Sequence, residues 1–178
     1  MEETEAQALE RRRMIDSQLR SRDITDRRVL AAMGQVPRHR FIRPVDQPLA
    51  YADAPLPIGH RQTISQPYIV ALMTQLVEPR PEDTVLEIGT GSGYQAAVLA
   101  ALARRVISVE RIPELAAQAR RVLAELGIMN VEIIEGDGTR GHAAEAPYAG
   151  IVVTAGAPRL PVALRDLMIT LGIAADGG

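Results

Sequence analysis

Residues 85–94 of this chain read VLEIGTGSGY, a short apolar run that leads into three alternate glycines. An alanine-rich stretch of helical character, residues 96–103, follows directly. A strand, a glycine-rich turn and a helix in this order form the ligand-binding crevice of many α/β sheets. The stretch therefore predicts a parallel sheet whose first strand leads into a nucleotide-binding turn.

The sequence on both sides of this turn predicts the other elements. In the second half we expect strands at 85–89, 106–110, 131–136 and 151–155, and helices at 93–103, 113–126 and 160–171. Such alternation is typical of βαβ units and a Rossmann-like α/β fold, with a mainly parallel sheet and helices on both faces. In the first half we expect helices at 5–20, 27–33 and 67–77, with an irregular proline-rich segment at 37–57. The chain is thus predicted to divide into an N-terminal helical part, 1–80, and a Rossmann-like part, 81–178.

Composition limits the classes of function. The 178 residues are 47% apolar and 24% charged, and the net charge of −2 gives no general attraction to nucleic acid. Cysteine is absent, which excludes disulfides, thiolate nucleophiles and Cys-based metal sites. The first residues are polar and no apolar stretch is long enough to cross a bilayer, so we expect no signal peptide, no membrane partner and a cytoplasmic protein. We also expect no metal site.

Two residues at the glycine turn narrow the choice of ligand. The dinucleotide fingerprint G-x-G-x-x-G needs a third glycine where this chain has Tyr94. A carboxylate at Glu87, just before the turn, would repel a pyrophosphate and would accept a cationic ligand such as S-adenosylmethionine. The alternative is a glycine-rich turn that binds nothing.

Acidic residues at the next two strand ends extend this interpretation. Glu110 lies 21 positions after Gly89, near the spacing at which an acidic side chain binds ribose hydroxyls. The alternative is an exposed glutamate that pairs with Arg111. Asp137 ends the third predicted strand and is suited to accept a hydrogen bond from an adenine amino group; the alternative is an ordinary turn aspartate.

With these residues in place, the chain resembles the protein-L-isoaspartate (D-aspartate) O-methyltransferases, a family of class I S-adenosylmethionine-dependent enzymes, in their bacterial form. The resemblance runs along nearly the whole sequence. It is carried by 29–30 (VL), 36–41 (VPRHRF), 56–59 (LPIG), 62–68 (QTISQPY), 85–94, 109–111 (VER), 136–138 (GDG) and 147–148 (PY). The TISQP block at 63–67 is specific to this family, whereas the glycine turn occurs in methyltransferases generally.

The resemblance implies a role for each site residue. Ser65 corresponds to the active-site serine of the family; without the resemblance, its place just before Gln66 and Pro67 predicts a helix N-cap. The cofactor S-adenosylmethionine is implied to lie against the residues beside Ser65, the glycine turn and the next two strand ends. These cofactor-site residues are Gln62, Thr63, Ile64, Glu87, Gly89, Thr90, Gly91, Ser92, Gly93, Glu110, Arg111, Asp137 and Gly138.

The implied reaction transfers a methyl group to the free α-carboxylate of L-isoaspartyl or D-aspartyl residues in damaged proteins or peptides, which are the expected partners. A carboxylate with a reference pKa near ~3.5 is already ionised at neutral pH, so it needs no general base. His39, His60 and His142 are therefore expected to be structural or exposed. We expect a monomer and no nucleic-acid partner.

Two departures from the family pattern qualify these expectations. Family members commonly read Tyr-Asp-Ala-Ile at the fourth strand, where this chain reads YAGI at 148–151, and we expect the missing acid at Ala149 to weaken support of the cofactor pocket. The family pattern also continues past residue 178, so we expect a sheet that lacks its last strands, with 151–155 as an edge open to association. The alternative function is a catalytically impaired S-adenosylmethionine-binding fragment of this family.

Overall fold

The computed structural model describes residues 3–155 and Leu164. Its α-helices are Glu5–Met14 (α1), Arg27–Gln35 (α2), Pro67–Val77 (α3), Tyr94–Ala100 (α4) and Pro113–Glu125 (α5). Its strands are Leu56–Gly59 (β1), Gln62–Ile64 (β2), Thr84–Ile88 (β3), Arg105–Glu110 (β4), Val131–Glu135 (β5) and Gly150–Val153 (β6).

The four strands of the second half form one parallel sheet in the order β5-β4-β3-β6. Strands β4 and β5 lie on one side of β3 and β6 lies on the other, so the direction of winding reverses beside β3. In open α/β sheets the crevice at such a reversal, outside the carboxyl ends of the strands, is the usual ligand site. The fold therefore predicts a ligand site at the residues that follow Ile88 and Glu110.

Both faces of the sheet are covered by apolar side chains. Val85 of β3 belongs to a buried cluster with Leu99 of α4, whereas the next residue, Leu86, belongs to a different cluster with Tyr148 and Leu164. Successive side chains of a strand point to opposite faces, so continuous apolar runs are what a sheet buried on both sides requires. This is the physical basis of the strands expected from the sequence.

The N-terminal part packs directly on the helices of the sheet. Met14, Phe41, Tyr94 and Leu115 all belong to the largest buried cluster. The rings of Phe41 and Tyr94 meet edge-on with their centroids 5.5 Å apart. The division of the chain near residue 80 stays a prediction.

The sequence predicts the sheet part of the chain better than the part before it. The four parallel strands and the helices between them are confirmed, with shifts of at most three residues at their ends. The expected helix at 5–20 is α1 followed by a π-helical segment, Ile15–Arg20, and α2 runs on through Gly34. The predicted helix at 160–171 lies outside the described residues apart from Leu164, which is helical.

The irregular segment expected at 37–57 contains two 3₁₀ turns, Arg38–Phe41 and Pro44–Leu49, and the beginning of a hairpin. In this hairpin β1 pairs antiparallel with β2, with Leu56 opposite Ile64. The pattern of apolar residues does not predict it. Across the part of the chain that the structure describes, no helix has the length and apolar character needed to span a membrane.

Candidate active site

A cavity of about 380 Å³ lies at the carboxyl ends of β3 and β4 and reaches the β2 strand of the hairpin. All predicted site residues except Gly93 line it. The predicted residues in its wall are Gln62, Thr63, Ile64, Ser65, Glu87, Gly89, Thr90, Gly91, Ser92, Glu110, Arg111, Asp137 and Gly138. The fold thus brings the family-specific block and the glycine turn to one cavity.

Two of the three glycines in the turn allow the protein to pack on itself. Gly89 has φ of +97°, and a Cβ placed there would lie 2.8 Å from Thr154 Oγ1. Gly93 has φ of +89°, and its Cβ would lie 3.1 Å from Ala119 Cβ. Both positions combine a backbone conformation that suits glycine with a neighbour that is closer than a Cβ normally allows. Gly93 therefore allows α4 to pack closely against α5, and for this reason it does not line the cavity.

Gly91 differs from its two neighbours. Its φ is +53°, and a Cβ there would have only Ile58 Cδ1 within 4 Å, at 3.4 Å. The protein itself does not fill the space beside Gly91, which lines the cavity. Gly91 is therefore the glycine of this turn that leaves room for a ligand.

Glu110 joins the turns that follow β3 and β4. Its Oε2 accepts a hydrogen bond from the Gly91 N–H at 2.8 Å, and its Oε1 accepts one from the Ile112 N–H at 2.9 Å. Its side chain is buried, so the alternative of an exposed glutamate paired with Arg111 is wrong. Each carboxylate oxygen has a further lone pair and can still accept a hydrogen bond from a ligand hydroxyl.

Glu87 lies beneath the cavity and is fully buried. Its Oε2 accepts a hydrogen bond from Ser108 Oγ at 2.5 Å, and Ser108 Oγ lies 2.5 Å from Thr90 Oγ1. Burial raises the pKa of Glu87 to about 8; the hydrogen bond from Ser108 opposes this rise, and repulsion from Glu110 adds to it. Glu87 therefore lies buried beneath the cavity and not exposed at its mouth, and desolvation favours its protonated form when no cation is bound.

Two buried side-chain oxygens of residues that line the cavity have no hydrogen-bond partner among the described residues. They are Glu87 Oε1 and Gln95 Oε1, and both residues line the cavity. Gln95 is oriented by its Nε2, which donates to Thr74 Oγ1 at 2.8 Å. Buried polar atoms are nearly always hydrogen-bonded, so this pair fits a ligand that carries donors, such as an ammonium group. The sequence does not single out Gln95, since a glutamine in a helix is most often on the surface.

Asp137 and Gly138 follow β5 at the far side of the cavity. Asp137 Oδ1 accepts hydrogen bonds from the Thr139 N–H at 3.0 Å and from its Oγ1 at 2.8 Å, and the bond from the hydroxyl is the main reason that the pKa of Asp137 is lowered. This is the arrangement of an ordinary turn aspartate, and an adenine contact stays a prediction. A Cβ on Gly138 would collide with Ile88, so Gly138 lets this turn approach β3.

Ser65 lies between the hairpin and α3, where it lines the cavity. The N-cap residue of α3 is Gln66, and its side chain makes no capping hydrogen bond. The prediction of Ser65 as the helix N-cap is therefore wrong, and its hydroxyl does not cap the start of α3. The backbone carbonyl of Ser65 accepts a hydrogen bond from Arg38 Nη1 at 2.8 Å.

None of the three histidines lines the cavity. His39 is buried with its Nδ1 2.8 Å from the Tyr51 hydroxyl, and His60 is exposed at the tip of the hairpin, as expected. His142 is half-buried, and its backbone carbonyl accepts a hydrogen bond from the Tyr148 hydroxyl. Over residues 3–155, no group of three or more acidic or histidine side chains could hold a metal ion.

Ala149 does not support the cavity. It is exposed and its N–H donates to the carbonyl of Thr84 at 2.9 Å, where β3 begins. The amino ends of parallel strands lie at the opposite edge of the sheet from their carboxyl ends. The expectation that the change from aspartate at Ala149 weakens the cofactor pocket is therefore wrong.

Comparison with known families shows which family has this arrangement of site residues. The family model described as Protein-L-isoaspartate(D-aspartate) O-methyltransferase matches residues 9–173. The chain belongs to this family. It is 61% identical over 163 residues to a protein-L-isoaspartate O-methyltransferase of Methanoregula boonei, covering 92% of this chain and 75% of the relative. It is 57% identical over 157 residues to that of Methanoculleus marisnigri, covering 88% and 71%.

Solved structures of the family have the same fold. One protein-L-isoaspartate O-methyltransferase superposes with a TM-score of 0.78 at 30% identity, covering 88% of this chain and 51% of its own. A family member described as putative, from Plasmodium falciparum and in complex with S-adenosyl-L-homocysteine, gives 0.72 at 28% identity, covering 86% and 77%. An S-adenosylmethionine-dependent O-methyltransferase of Thermotoga maritima gives 0.53 at 23% identity, covering 61% and 41%. The fold is the Rossmann-like fold of class I methyltransferases.

The buried carboxyl of Glu87 predicts a pH dependence of stability. Its pKa is about 8 in the folded chain against 4.5 for a free glutamate, so the folded state binds the proton more tightly. The folded state therefore loses stability as pH rises from the unfolded pKa through the folded one. Because Glu87→Gln keeps a neutral polar group, its free energy of unfolding should fall less between pH 6 and pH 9 than that of the wild type.

Urea unfolding of both proteins at the two pH values measures the change in their free energies of unfolding. Groups that titrate in both proteins contribute equally, so their effects cancel in the comparison. Parallel loss of stability in wild type and variant would show that Glu87 does not titrate in this range. Glu135→Gln, a change at an exposed glutamate of β5, is the matched control and should follow the wild type.

Proposed function

We propose that this protein transfers a methyl group from S-adenosylmethionine to the free α-carboxylate of L-isoaspartyl and D-aspartyl residues in damaged proteins or peptides. One observation carries the proposal. The family-specific block at 62–65 and the glycine turn at 89–92 line the same cavity in a chain that belongs to this family.

The residues present fit the proposed cofactor. We assign Glu110 to the ribose hydroxyls, Asp137 to the adenine amino group, and the unpartnered oxygens of Glu87 and Gln95 to the ammonium group. The open space beside Gly91 admits the cofactor close to the backbone. When bound, S-adenosylmethionine supplies a methyl group made electrophilic by its sulfonium.

The substrate half of the site is assigned to Ser65, beside the cofactor-site residues Gln62, Thr63 and Ile64. A hydroxyl at Ser65 can donate a hydrogen bond to a carboxylate oxygen and so orient it. The substrate carboxylate is ionised at neutral pH, with a reference pKa of ~3.5, and needs no base to activate it. A cavity wall without a histidine is consistent with this reaction.

The contribution of the protein is then alignment of two reactants in a partly dehydrated cavity. Positioning of this kind accounts for up to roughly 7–11 kcal/mol of a barrier in favourable systems. The turn after β3 and the hairpin strand β2 both contribute to the cavity wall, so the two reactants can be held by different elements.

A pair of peptides tests the function directly. The purified chain is mixed with methyl-labelled S-adenosylmethionine and with either of two peptides that differ only in an aspartyl or an isoaspartyl linkage. We expect base-labile label on the isoaspartyl peptide alone, because a methyl ester is base-labile. Cofactor binding without transfer would support the catalytically impaired alternative instead.

The role of Ser65 is tested by Ser65→Ala. Loss of one hydrogen bond to a charged group, about 1.5–3 kcal/mol, should lower kcat/KM for the isoaspartyl peptide roughly 10- to 100-fold. Affinity for S-adenosylhomocysteine, measured by calorimetry, should stay within about twofold of the wild type. Ser21→Ala, at an exposed serine after the π-helical segment, should change neither value. Full turnover of Ser65→Ala would remove Ser65 from the mechanism.

The role of Gly91 is tested by Gly91→Ala. The fold has room for the added methyl group, so the variant should fold, but the methyl group enters the space assigned to the cofactor. We expect affinity for S-adenosylhomocysteine to fall about tenfold or more. Gly127→Ala is the matched control: φ is +70°, nothing lies within 4 Å of its Cβ, and it does not line the cavity. Equal affinities in the two variants would mean that Gly91 does not face the cofactor.

A further inference from the structure

Arg38 is the largest side chain that the described part of the protein buries completely. Its guanidinium donates to three backbone carbonyls: Nε to Ala50 at 2.8 Å, Nη1 to Ser65 at 2.8 Å and Nη2 to Ala54 at 3.3 Å. Its Cζ also lies 5.1 Å from the centroid of the Tyr94 ring. One guanidinium thus connects the irregular segment, the site serine and the first residue of α4.

The positive charge of Arg38 is not balanced by an ion pair within the described residues. Burial lowers the pKa of Arg38, but an arginine keeps its proton at neutral pH. Burying a charge without an ion-pair partner is unfavourable by several kcal/mol. Neutral polar side chains can also donate hydrogen bonds to backbone carbonyls, so these bonds alone do not require a charged residue. The charge itself therefore calls for an explanation.

Asp53 is the acidic group whose charge acts on Arg38, but its oxygens are engaged elsewhere. Its Oδ2 accepts hydrogen bonds from Gln66 Nε2 at 2.8 Å and from Arg22 at 3.1 Å. Its Oδ1 accepts a hydrogen bond from the Tyr68 N–H at 3.2 Å, in the first turn of α3. Asp53 therefore fixes the segment just after Ser65, while Arg38 fixes Ser65 itself.

Both neighbours of Arg38 on the cavity side belong to the cavity wall. Ser65 and Tyr94 line the cavity, and Arg38 lies directly behind them. In a low-dielectric environment a buried charge acts on its surroundings more strongly than it does in water. An anionic group held by the Ser65 hydroxyl would be bound to the same residue whose backbone carbonyl the Arg38 guanidinium holds.

We propose that Arg38 is a positioning residue of this site, which holds the Ser65 segment through its backbone carbonyl and whose unpaired charge favours a carboxylate substrate over a neutral one. The inference rests on the proposed function, because it takes the isoaspartyl α-carboxylate as the ligand at Ser65. Arg38 would thus contribute to substrate selectivity although it does not itself line the cavity.

The test compares two ligands and two substitutions. The ligands are an isoaspartyl peptide and the same peptide with its α-carboxylate replaced by a carboxamide, which is neutral and cannot be methylated as an acid. Equilibrium binding of each is measured on protein loaded with S-adenosylhomocysteine, so that no turnover occurs. The substitutions are Arg38→Gln, which removes the charge, and Arg38→Lys, which keeps the charge but cannot donate to all three carbonyls with the same geometry.

We expect the wild type to bind the carboxylate peptide more tightly than the carboxamide. In Arg38→Gln this preference should shrink about tenfold or more, while S-adenosylhomocysteine affinity is preserved. In Arg38→Lys the preference should persist, and kcat should fall because the Ser65 segment is less firmly held. Arg121→Gln, which removes an exposed charge on α5 away from the cavity wall, should leave all values unchanged.

A merely structural role for Arg38 would weaken binding of both peptides equally and leave their ratio intact, which would overturn the proposal. If Arg38→Gln fails to fold, Arg38→Lys decides alone: loss of the carboxylate preference or an unchanged kcat would contradict the inference. A wild-type protein that methylates no isoaspartyl peptide would contradict the proposed function instead, and this result comes from a separate measurement.

Discussion

The carboxylate of Glu110 makes the interaction on which the cavity depends. It accepts hydrogen bonds from Gly91, in the turn after β3, and from Ile112, just before α5. The register of β3 and β4 places Ile88 opposite Val109, so Glu110 is the first residue of β4 that extends beyond the end of β3. Of its two donors, the Ile112 N–H belongs to the N-cap residue of α5, where a helix favours an anion. This one side chain therefore fixes the separation between the two turns that carry the proposed cofactor site.

The sequence predicts what depends on local periodicity and misses what depends on pairing across the chain. The parallel strands are predictable because each is a short apolar run between helices. The hairpin is not, since its two-residue turn consists of His60 and Arg61, both with positive φ, where glycine, asparagine or aspartate would be the recognisable signal. The resemblance nonetheless selected residues that line one cavity, because the TISQP block is recognisable whatever the secondary structure around it.

Charge is the second property that the sequence does not show. Glu87 and Glu110 are the same residue type at the ends of adjacent strands, yet Glu110 receives two backbone N–H groups and Glu87 receives one hydroxyl while its other oxygen has no partner. An argument from the charge of Glu87 alone therefore leaves out its burial, which favours the protonated carboxyl until a cation binds. The preference for a cationic ligand rests on hydrogen-bonding capacity, and a bound cation would in turn favour the ionised form of Glu87.

Tyr94 connects the two halves of the site. It occupies the position at which a dinucleotide-binding turn has its third glycine, which there lets helix and strand pack closely. Here the ring instead extends into the core, where it meets Phe41 edge-on and lies beside the Arg38 guanidinium. The segment that fixes Ser65 thus packs against the first residue after the glycine turn. The departure from the dinucleotide pattern is therefore the feature that couples the proposed substrate half of the site to the cofactor half.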